Sequence, residues 1–128
     1  MGAALNSLGH AYRKLGDANR AREVLERALV IVERTYGRDH ASVASTLIGL
    51  ANAYAELGDS NRARELGERA LIIVERAYGR DHKNVGQLLH SLALFHAELG
   101  DANRARELLE RALTILERAF GRDPCKSY

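Results

Sequence analysis

The chain has 128 residues, of which 46% are hydrophobic and 28% are charged, and its formal net charge is +2. A chain of this length and composition can bury a hydrophobic core, which excludes an intrinsically disordered protein. Its arginines alternate with glutamates instead of forming a basic patch, so we expect no nucleic-acid partner. Since we find neither an apolar run of about 18 residues nor the pattern of a secretory leader, we expect no membrane partner and a cytoplasmic location.

One segment occurs three times along the chain. Its copies begin at Leu15, Leu57 and Leu99, each 42 residues after the one before. A fixed period of this size indicates stacked supersecondary units, and the 3.6-residue spacing of the apolar side chains favours helices. The sequence therefore predicts an all-α solenoid of three helical hairpins that form a single domain over 1–128, with repeats at about 3–41, 42–83 and 84–124.

The first helix of each repeat, helix A, carries few charges and an apolar stripe that includes Leu5, Leu8 and Tyr12 in the first copy. Such a stripe is stable only when another helix covers it. We expect Ser42 and Asn84 to cap the second and third A helices at their N-termini. The predicted A helices span about 3–15, 43–57 and 85–99.

The second helix, helix B, follows a Gly-Asp pair, which supplies a turn and a candidate N-terminal cap. A glycine at 37, 79 or 121 ends it. In each copy a glutamate precedes an arginine by four residues, which is the favourable order for an ion pair along a helix. These predicted pairs are Glu23 with Arg27, Glu65 with Arg69 and Glu107 with Arg111. The predicted B helices span 18–36, 60–78 and 102–120.

Two places break the repetition. Gly67 stands in the middle of the second B helix, where Leu25 and Leu109 stand in the other copies. Glycine inside a helix costs about 1 kcal/mol relative to alanine, so we expect Gly67→Leu to stabilise the protein. Phe95 and His96 replace an alanine and a tyrosine of the other A helices, which predicts local repacking of the third A helix.

The repeated residues resemble a known family. Each copy reads L-x-x-L-[GA]-x-[AF]-[YH]-x-x-L-G-D, followed by R-A-R-E and R-A-L. The small residues of this pattern are Gly9, Ala51 and Ala93 in helix A, and Ala21, Ala63, Ala105, Ala28, Ala70 and Ala112 in helix B. Together they resemble a tetratricopeptide (TPR) array. The 42-residue period, against about 34 in the usual TPR, and the segments YGRDH and FGRDP are similar to the long repeats of kinesin light chains.

This resemblance implies a right-handed solenoid whose A helices line a concave groove and whose role is to bind other proteins. Kinesin-light-chain-like repeats commonly present a pair of asparagines on helix A, and of these the chain keeps only Asn6. The positions that match a carboxylate clamp hold no lysine or arginine, so we do not expect an acidic chaperone tail as the ligand. The predicted peptide-binding groove consists of Asn6, His10, Arg13, Ser45, Ile48, Asn52, Gln87, His90 and Leu94.

The two helices of the repeat differ in how closely they are repeated. Over the 25 positions that begin with 15–39, every pair of copies is identical at 20. Over the eleven positions that begin with 5–15, only three leucines are common to all copies. This difference predicts that the B helices are a scaffold and that the A helices carry the ligand chemistry. The alternative is that helix A tolerates change and has drifted.

The sequence shows no pattern of catalytic or metal-binding residues. The histidines, at 10, 40, 82, 90 and 96, lack the i, i+4 spacing of a metal site on a helix. We find no Ser/His/Asp arrangement, Gly-rich phosphate loop or carboxylate pair. Cys125 has no catalytic partner, so we interpret it as a bystander thiol. We therefore expect a protein that is not an enzyme and that holds no metal or cofactor.

Two functions remain open. In the first, the chain is a protein–protein interaction scaffold that binds a peptide or a segment of a partner in its groove. In the second, it is a structural or self-assembling module, cut from a longer array or built from near-consensus repeats, which forms a homodimer or a head-to-tail oligomer. The leucines expected to mediate that association at the open ends of the solenoid are Leu5, Leu8, Leu109, Leu113 and Leu116.

Overall fold

The computed structural model describes residues 2–120, which form six α-helices that alternate between helix A and helix B. They are α1 (Gly2–Lys14), α2 (Ala18–Tyr36), α3 (Ala41–Glu56), α4 (Ser60–Tyr78), α5 (Lys83–Glu98) and α6 (Ala102–Phe120). The bounds predicted for the three B helices are confirmed. Gly121, Cys125 and the predicted end of the third repeat at 124 lie outside the described residues.

An aspartate caps each B helix, as the sequence predicts. The carboxylate of Asp17 accepts a hydrogen bond from the backbone N–H of Arg20 at 3.1 Å, and Asp59 and Asp101 make the same bond in their copies. This bond satisfies one of the N–H groups that the start of a helix leaves unpaired. The glycine before Asp17 has a φ of 82°, which side chains disfavour, so a glycine is needed in this turn.

A histidine caps the second and third A helices, and the predicted caps Ser42 and Asn84 were wrong. The Nδ1 atom of His40 accepts a hydrogen bond from the backbone N–H of Ser42, and that of His82 accepts one from Asn84, both at 3.0 Å. A neutral imidazole has one acceptor nitrogen, so it can cap a helix as a serine oxygen does. As a result α3 and α5 begin two residues earlier than predicted.

The aromatic ring of a tyrosine supports each of these histidines. Tyr36, at the end of α2, stacks on His40 with 4.7 Å between the ring centroids. Tyr78, at the end of α4, stacks on His82 at 4.8 Å. The GRDH loop therefore joins the end of one B helix to the cap of the next A helix.

The A helices form the inner layer of the solenoid and the B helices form its outer layer. Cα atoms of α1 and α3, and of α3 and α5, approach within 8 Å of one another. Among residues 2–120, the B helices make no such approach to one another, although each packs against A helices on both sides where both are present. The surface on the A side is therefore the narrower, concave one.

Small residues bring the two helices of a hairpin together. The alanines of the repeated B-helix pattern are buried in all three copies. In helix A, a Cβ atom added to Gly9 would lie 2.5 Å from Cγ of Leu25, so a larger residue would require this leucine to shift. Leu25, Leu47, Leu89 and Leu92 are among the largest fully buried side chains, and they belong to one continuous core with five of these alanines, at 21, 63, 70, 105 and 112.

Each B helix also packs against the A helix of the next repeat, and we call these contacts the first junction (α2/α3) and the second junction (α4/α5). At the first junction, a Cβ atom added to Gly49 would lie 3.4 Å from Cδ1 of Leu25. At the second, a Cβ atom added to Gly67 would lie 3.0 Å from Cδ1 of Leu92 and 3.5 Å from the ring of Phe95. The two junctions differ at one pair of positions: the first has Leu25 on helix B and Ala53 on helix A, whereas the second has Gly67 on helix B and Phe95 on helix A.

Candidate functional site

The candidate site is the concave face of α1, α3 and α5, which we call the groove. The predicted groove residues fall into rows, because equivalent positions are 42 residues apart. Asn6, Ile48 and His90 share one position, and Ser45 and Gln87 share another. A third row contains His10, Asn52 and Leu94.

The first cavity of the groove lies between α1 and α3 and has a volume of about 450 Å³. It brings together three of the predicted residues, Asn6, His10 and Ser45. Ser7 and Gly49 complete the polar and small part of its lining. Since these side chains are short, backbone or side-chain groups of a ligand could reach the helix surface here.

A second cavity, of about 380 Å³, lies where the ends of α1, α2 and α3 meet. Asn6 and Ser45 line it together with Thr46 and Tyr36. The Thr46 side chain is fully buried, and within residues 2–120 its hydroxyl group has no hydrogen-bond partner. Leaving a buried hydroxyl unpaired costs about 1–3 kcal/mol. Within residues 2–120, this hydroxyl is therefore a buried polar group whose hydrogen-bonding capacity is not used.

A third cavity, of about 280 Å³, lies between α3 and α5. The predicted residues Ser45, Ile48 and Gln87 line it, and Ser91 and Tyr78 are among the other lining residues. Ile48 stands here at the position that Asn6 occupies beside the first cavity. The two cavities along the groove thus offer different chemistry at equivalent positions.

The other predicted groove residues lie outside these three cavities. Asn52 is half-buried, and His90 and Leu94 are exposed, with 51% of Leu94 accessible. Arg13 lies 3.3 Å from the carboxylate of Glu56, with which it forms an ion pair between α1 and α3. This pair offsets the positive charge of Arg13, so the groove is close to neutral.

Among the lining residues outside the predicted groove set, Ser7, Gly49 and Ser91 share one position of helix A. Their signal was present in the sequence, because this position is small in every copy although the helix diverges around it. A small residue here leaves room for the cavities between neighbouring A helices.

A hydrogen bond orients α3 on α2 beside the groove. The hydroxyl group of Tyr54 donates to the carboxylate of Glu26, and the guanidinium of Arg62 lies 5.8 Å from the centroid of the tyrosine ring. Burial, together with the hydrogen bond and the negative charge of Glu26, raises the pKa of Tyr54 above its ordinary value. The tyrosine therefore stays neutral and remains a donor.

The third repeat replaces this tyrosine with His96. The histidine is buried, whereas Tyr54 is half-buried, so the third A helix packs differently at this position. His96 Nε2 lies 3.4 Å from a carboxylate oxygen of Glu68, the residue equivalent to Glu26. Phe95 beside it is buried against the core. Both junctions therefore place a polar side chain of helix A against the same acidic position of the preceding helix B.

The ion pairs of the B helices differ from the predicted ones. Arg69 pairs with Glu33 of the preceding B helix and donates to the carbonyl oxygen of Arg38 at 3.2 Å. Arg111 does the same with Glu75, at 2.6 Å. The prediction that these arginines pair within their own helix was wrong, because they lie on the side that faces the preceding repeat. The i, i+4 pairs along the B helices are Arg22 with Glu26, Arg64 with Glu68 and Arg106 with Glu110. The two glutamates expected to pair with Arg69 and Arg111 pair three residues back instead, Glu65 with Arg62 and Glu107 with Arg104.

The leucines predicted to mediate self-association are exposed only in part. Leu8, Leu109 and Leu113 are exposed at the two ends of the solenoid. Leu5 and Leu116 are half-buried, so they contribute less exposed surface to the two ends. A Cβ atom added to Gly86 of α5 would lie 3.1 Å from Cγ of Leu116, which shows that this leucine packs within its own hairpin.

No helix within residues 2–120 is both long and apolar enough to cross a membrane. In the same range, the histidine, cysteine and acidic side chains do not gather into a group of three that could hold a metal ion.

Comparison with known proteins identifies the family of the chain. The family model for the tetratricopeptide repeat matches residues 1–71 and 61–118. The chain belongs to the tetratricopeptide repeat family. The resemblance read from its repeated residues is thereby confirmed. TPR proteins are generally scaffolds without enzymatic activity, and they typically bind protein partners.

Solved structures confirm the all-α solenoid fold. A protein of Podosopora anserina described as a kinesin light chain with nearly identical TPR-like repeats aligns with a TM-score of 0.84 and 27% identity, over 95% of this chain and 57% of its own. BtubC (BKLC) of P. vanneervenii aligns with a TM-score of 0.85 and 27% identity, over 96% of this chain and 49% of its own. The chain thus spans about half the length of these two TPR structures.

A more distant structure shares the fold alone. The TPR domain of Arabidopsis FLU aligns with a TM-score of 0.81 and 17% identity, over 91% of this chain and 95% of its own. A comparison with curated proteins gives no match.

Proposed function

We propose that this TPR chain is a cytoplasmic protein–protein interaction module, a single domain whose groove binds a segment of a partner protein. One observation carries the proposal: the copies diverge on the face that contains the cavities. Every pair of copies is identical at 20 of 25 positions from the turn through helix B, whereas helix A keeps three leucines of eleven positions. A scaffold that repeats and a surface that varies suit recognition of one particular segment.

The charge of the groove indicates the kind of segment. Arg13 already forms an ion pair with Glu56, and the cavity linings consist mainly of neutral side chains. The groove has no electrostatic potential complementary to a strongly acidic or strongly basic peptide. We therefore expect a segment of low net charge.

The cavities indicate how such a segment would be held. Asn6 and Ser45, at the first cavity, offer donors and acceptors for peptide groups. Ile48, at the third cavity, offers an apolar surface for a side chain of moderate size. Polar contacts would fix the orientation of the segment, and the apolar contact would contribute most of the affinity.

A peptide array tests this proposal. The groove variant carries alanine at Asn6, His10, Asn52 and His90, and the control variant carries alanine at the exposed B-helix residues Asn19, Asn61 and Asn103. We expect peptides retained by the unaltered chain to bind the groove variant at least about tenfold more weakly and the control with unchanged affinity. If the array retains no peptide, or if both variants bind equally well, helix A has drifted and the groove is not the site.

A further inference from the structure

The two internal junctions are built from the same polar parts. At the first, Glu26 accepts a hydrogen bond from Tyr54, and Glu33 pairs with Arg69. At the second, the equivalent Glu68 approaches His96, and Glu75 pairs with Arg111. At each junction, the B helix of the earlier repeat therefore presents two acidic residues, seven positions apart. The following repeat contacts them with a polar residue of its helix A and an arginine of its helix B.

The outer ends of the solenoid carry both halves of such a junction. On α6, Glu110 and Glu117 occupy the positions of Glu26 and Glu33. On the first hairpin, Tyr12 occupies the position of Tyr54, and Arg27 occupies that of Arg69 and Arg111. The residue types at the two ends are therefore complementary in the register that the internal junctions use.

The apolar surfaces of the two ends also match. Leu113 of α6 is 60% exposed, whereas its equivalents Leu29 and Leu71 are half-buried and pack against the core. Leu8 of α1 is 43% exposed, whereas its equivalent Leu50 is only 2% exposed. These side chains are the ones that an internal junction covers.

The sizes of the facing side chains select between the two junction types. Leu109 of α6 is the equivalent of Leu25, which lies beside Gly49 at the first junction. On α1, Ser7 stands at the position of Gly49, and Ala11 at that of the buried Ala53, so this helix is small where Leu109 needs space. The two ends therefore match as a first-type junction, with the large side chain on helix B.

We propose that a second copy of this chain docks its α1 on α6, as α3 docks on α2. Tyr12 and Arg27 of the second copy then meet Glu110 and Glu117, and its Leu8 covers Leu113. Because the contact joins two unlike surfaces, every added copy exposes a new end, and the product is a head-to-tail chain. This surface is distinct from the groove, so the inference does not depend on the proposed peptide site.

Sedimentation velocity over about a hundredfold concentration range tests the proposal, with two end variants and one control. Leu8→Asp blocks the α1 end, Leu113→Asp blocks the α6 end, and Ile72→Asp changes an exposed residue of α4 between the ends. We expect the mass of the unaltered chain and of the Ile72 variant to rise with concentration. Each end variant alone should stay at the mass of one chain, with an association constant lowered by more than about tenfold.

Mixing the two end variants distinguishes head-to-tail from symmetric association. The Leu8 variant keeps a working α6 end and the Leu113 variant keeps a working α1 end, so the mixture should form one-to-one dimers and stop. This result would also show that both variants fold. A single-chain mass for the unaltered protein at every concentration, or dimers formed by the Leu8 variant alone, would overturn the proposal.

A pair of charge variants provides a second test that leaves the apolar surfaces intact. The Arg27→Glu variant alone should self-associate more weakly than the unaltered chain, and so should the Glu117→Arg variant alone. Mixing these two variants should restore association, since a copy with arginine at 117 can then meet a copy with glutamate at 27. If mixing does not restore it, the proposed register is wrong.

Discussion

The junction face and the groove face of the A helices vary in different ways. On the junction face, a change on one helix accompanies a change on the other: the first junction has Leu25 and Ala53 where the second has Gly67 and Phe95. A large side chain on either helix fills the space, but the structure holds one at a time. This face is constrained by close packing, in which adding or removing even one methylene group changes the stability.

On the groove face, one position holds an asparagine, an isoleucine and a histidine in the three repeats, Asn6, Ile48 and His90. These side chains differ in size and polarity, yet α1, α3 and α5 pack in the same way. The comparison teaches that the junctions fix the placement of the A helices and that their concave side can therefore change without loss of the fold.

The largest effect is expected from emptying the second junction. Phe95→Ala leaves a cavity beside Gly67, which has no side chain to fill it, and should lower the free energy of unfolding by about 3 kcal/mol or more. Leu94→Ala, one residue away on the groove face, should change it by less than about 0.5 kcal/mol. Urea denaturation of both variants measures the contrast. Similar losses for the two would remove the distinction between the faces.

The next effect is expected from overfilling the same junction. The sequence suggested that Gly67→Leu stabilises the protein, but Leu92 and Phe95 already occupy the space of the added side chain. We expect this variant to lose about 1–3 kcal/mol from overpacking, more than the roughly 1 kcal/mol gained from helix propensity.

The double variant Gly67→Leu/Phe95→Ala recreates the arrangement of the first junction. It should be more stable than either single variant, which gives a favourable coupling free energy in a double-mutant cycle. Additive losses in the same urea experiment would mean that the two positions do not compensate each other.

A smaller effect is expected at the histidine cap that begins α5. His82→Ala removes the acceptor for the Asn84 N–H and the ring that stacks on Tyr78, and should cost about 1 kcal/mol. His82→Asn supplies a different acceptor and should retain most of the stability. Thermal unfolding followed by circular dichroism compares them. Equal melting temperatures for the alanine and asparagine variants would show that the cap contributes little.

The sequence predicted the fold well because its signals are local and repeated. The period, the Gly-Asp turns and the B-helix bounds follow from residues close together in the chain, such as Asp17 and Arg20. The histidine caps were missed because serine and asparagine are the commoner caps and stood two residues further on.

The features that involve two repeats were harder to predict. The role of Gly67 depends on Phe95, and the partner of Arg69 is Glu33 of the preceding repeat, so neither is visible within one copy. The rows of the groove could be predicted because they follow from the 42-residue period. Which residues line cavities could not, since this depends on how closely the A helices approach one another.

The smallest effect on stability is expected in the groove. The variant with alanine at Asn6, His10, Asn52 and His90 should keep its helical content and lose less than about 1 kcal/mol, because these side chains add little to the core. Calorimetry measures this directly. An unfolding temperature far below that of the unaltered chain would identify these residues as packing elements and would contradict the groove assignment.

The central claim is that the constant junctions hold a variable concave face for recognition. Amide NMR spectra of the labelled chain, recorded with the tightest peptide from the array, test it most directly. We predict chemical-shift changes centred on Ser45, Ile48 and Gln87, with the B-helix residues Asn61 and Arg76 unchanged. Changes centred on the B helices, with the groove signals unmoved, would contradict the account.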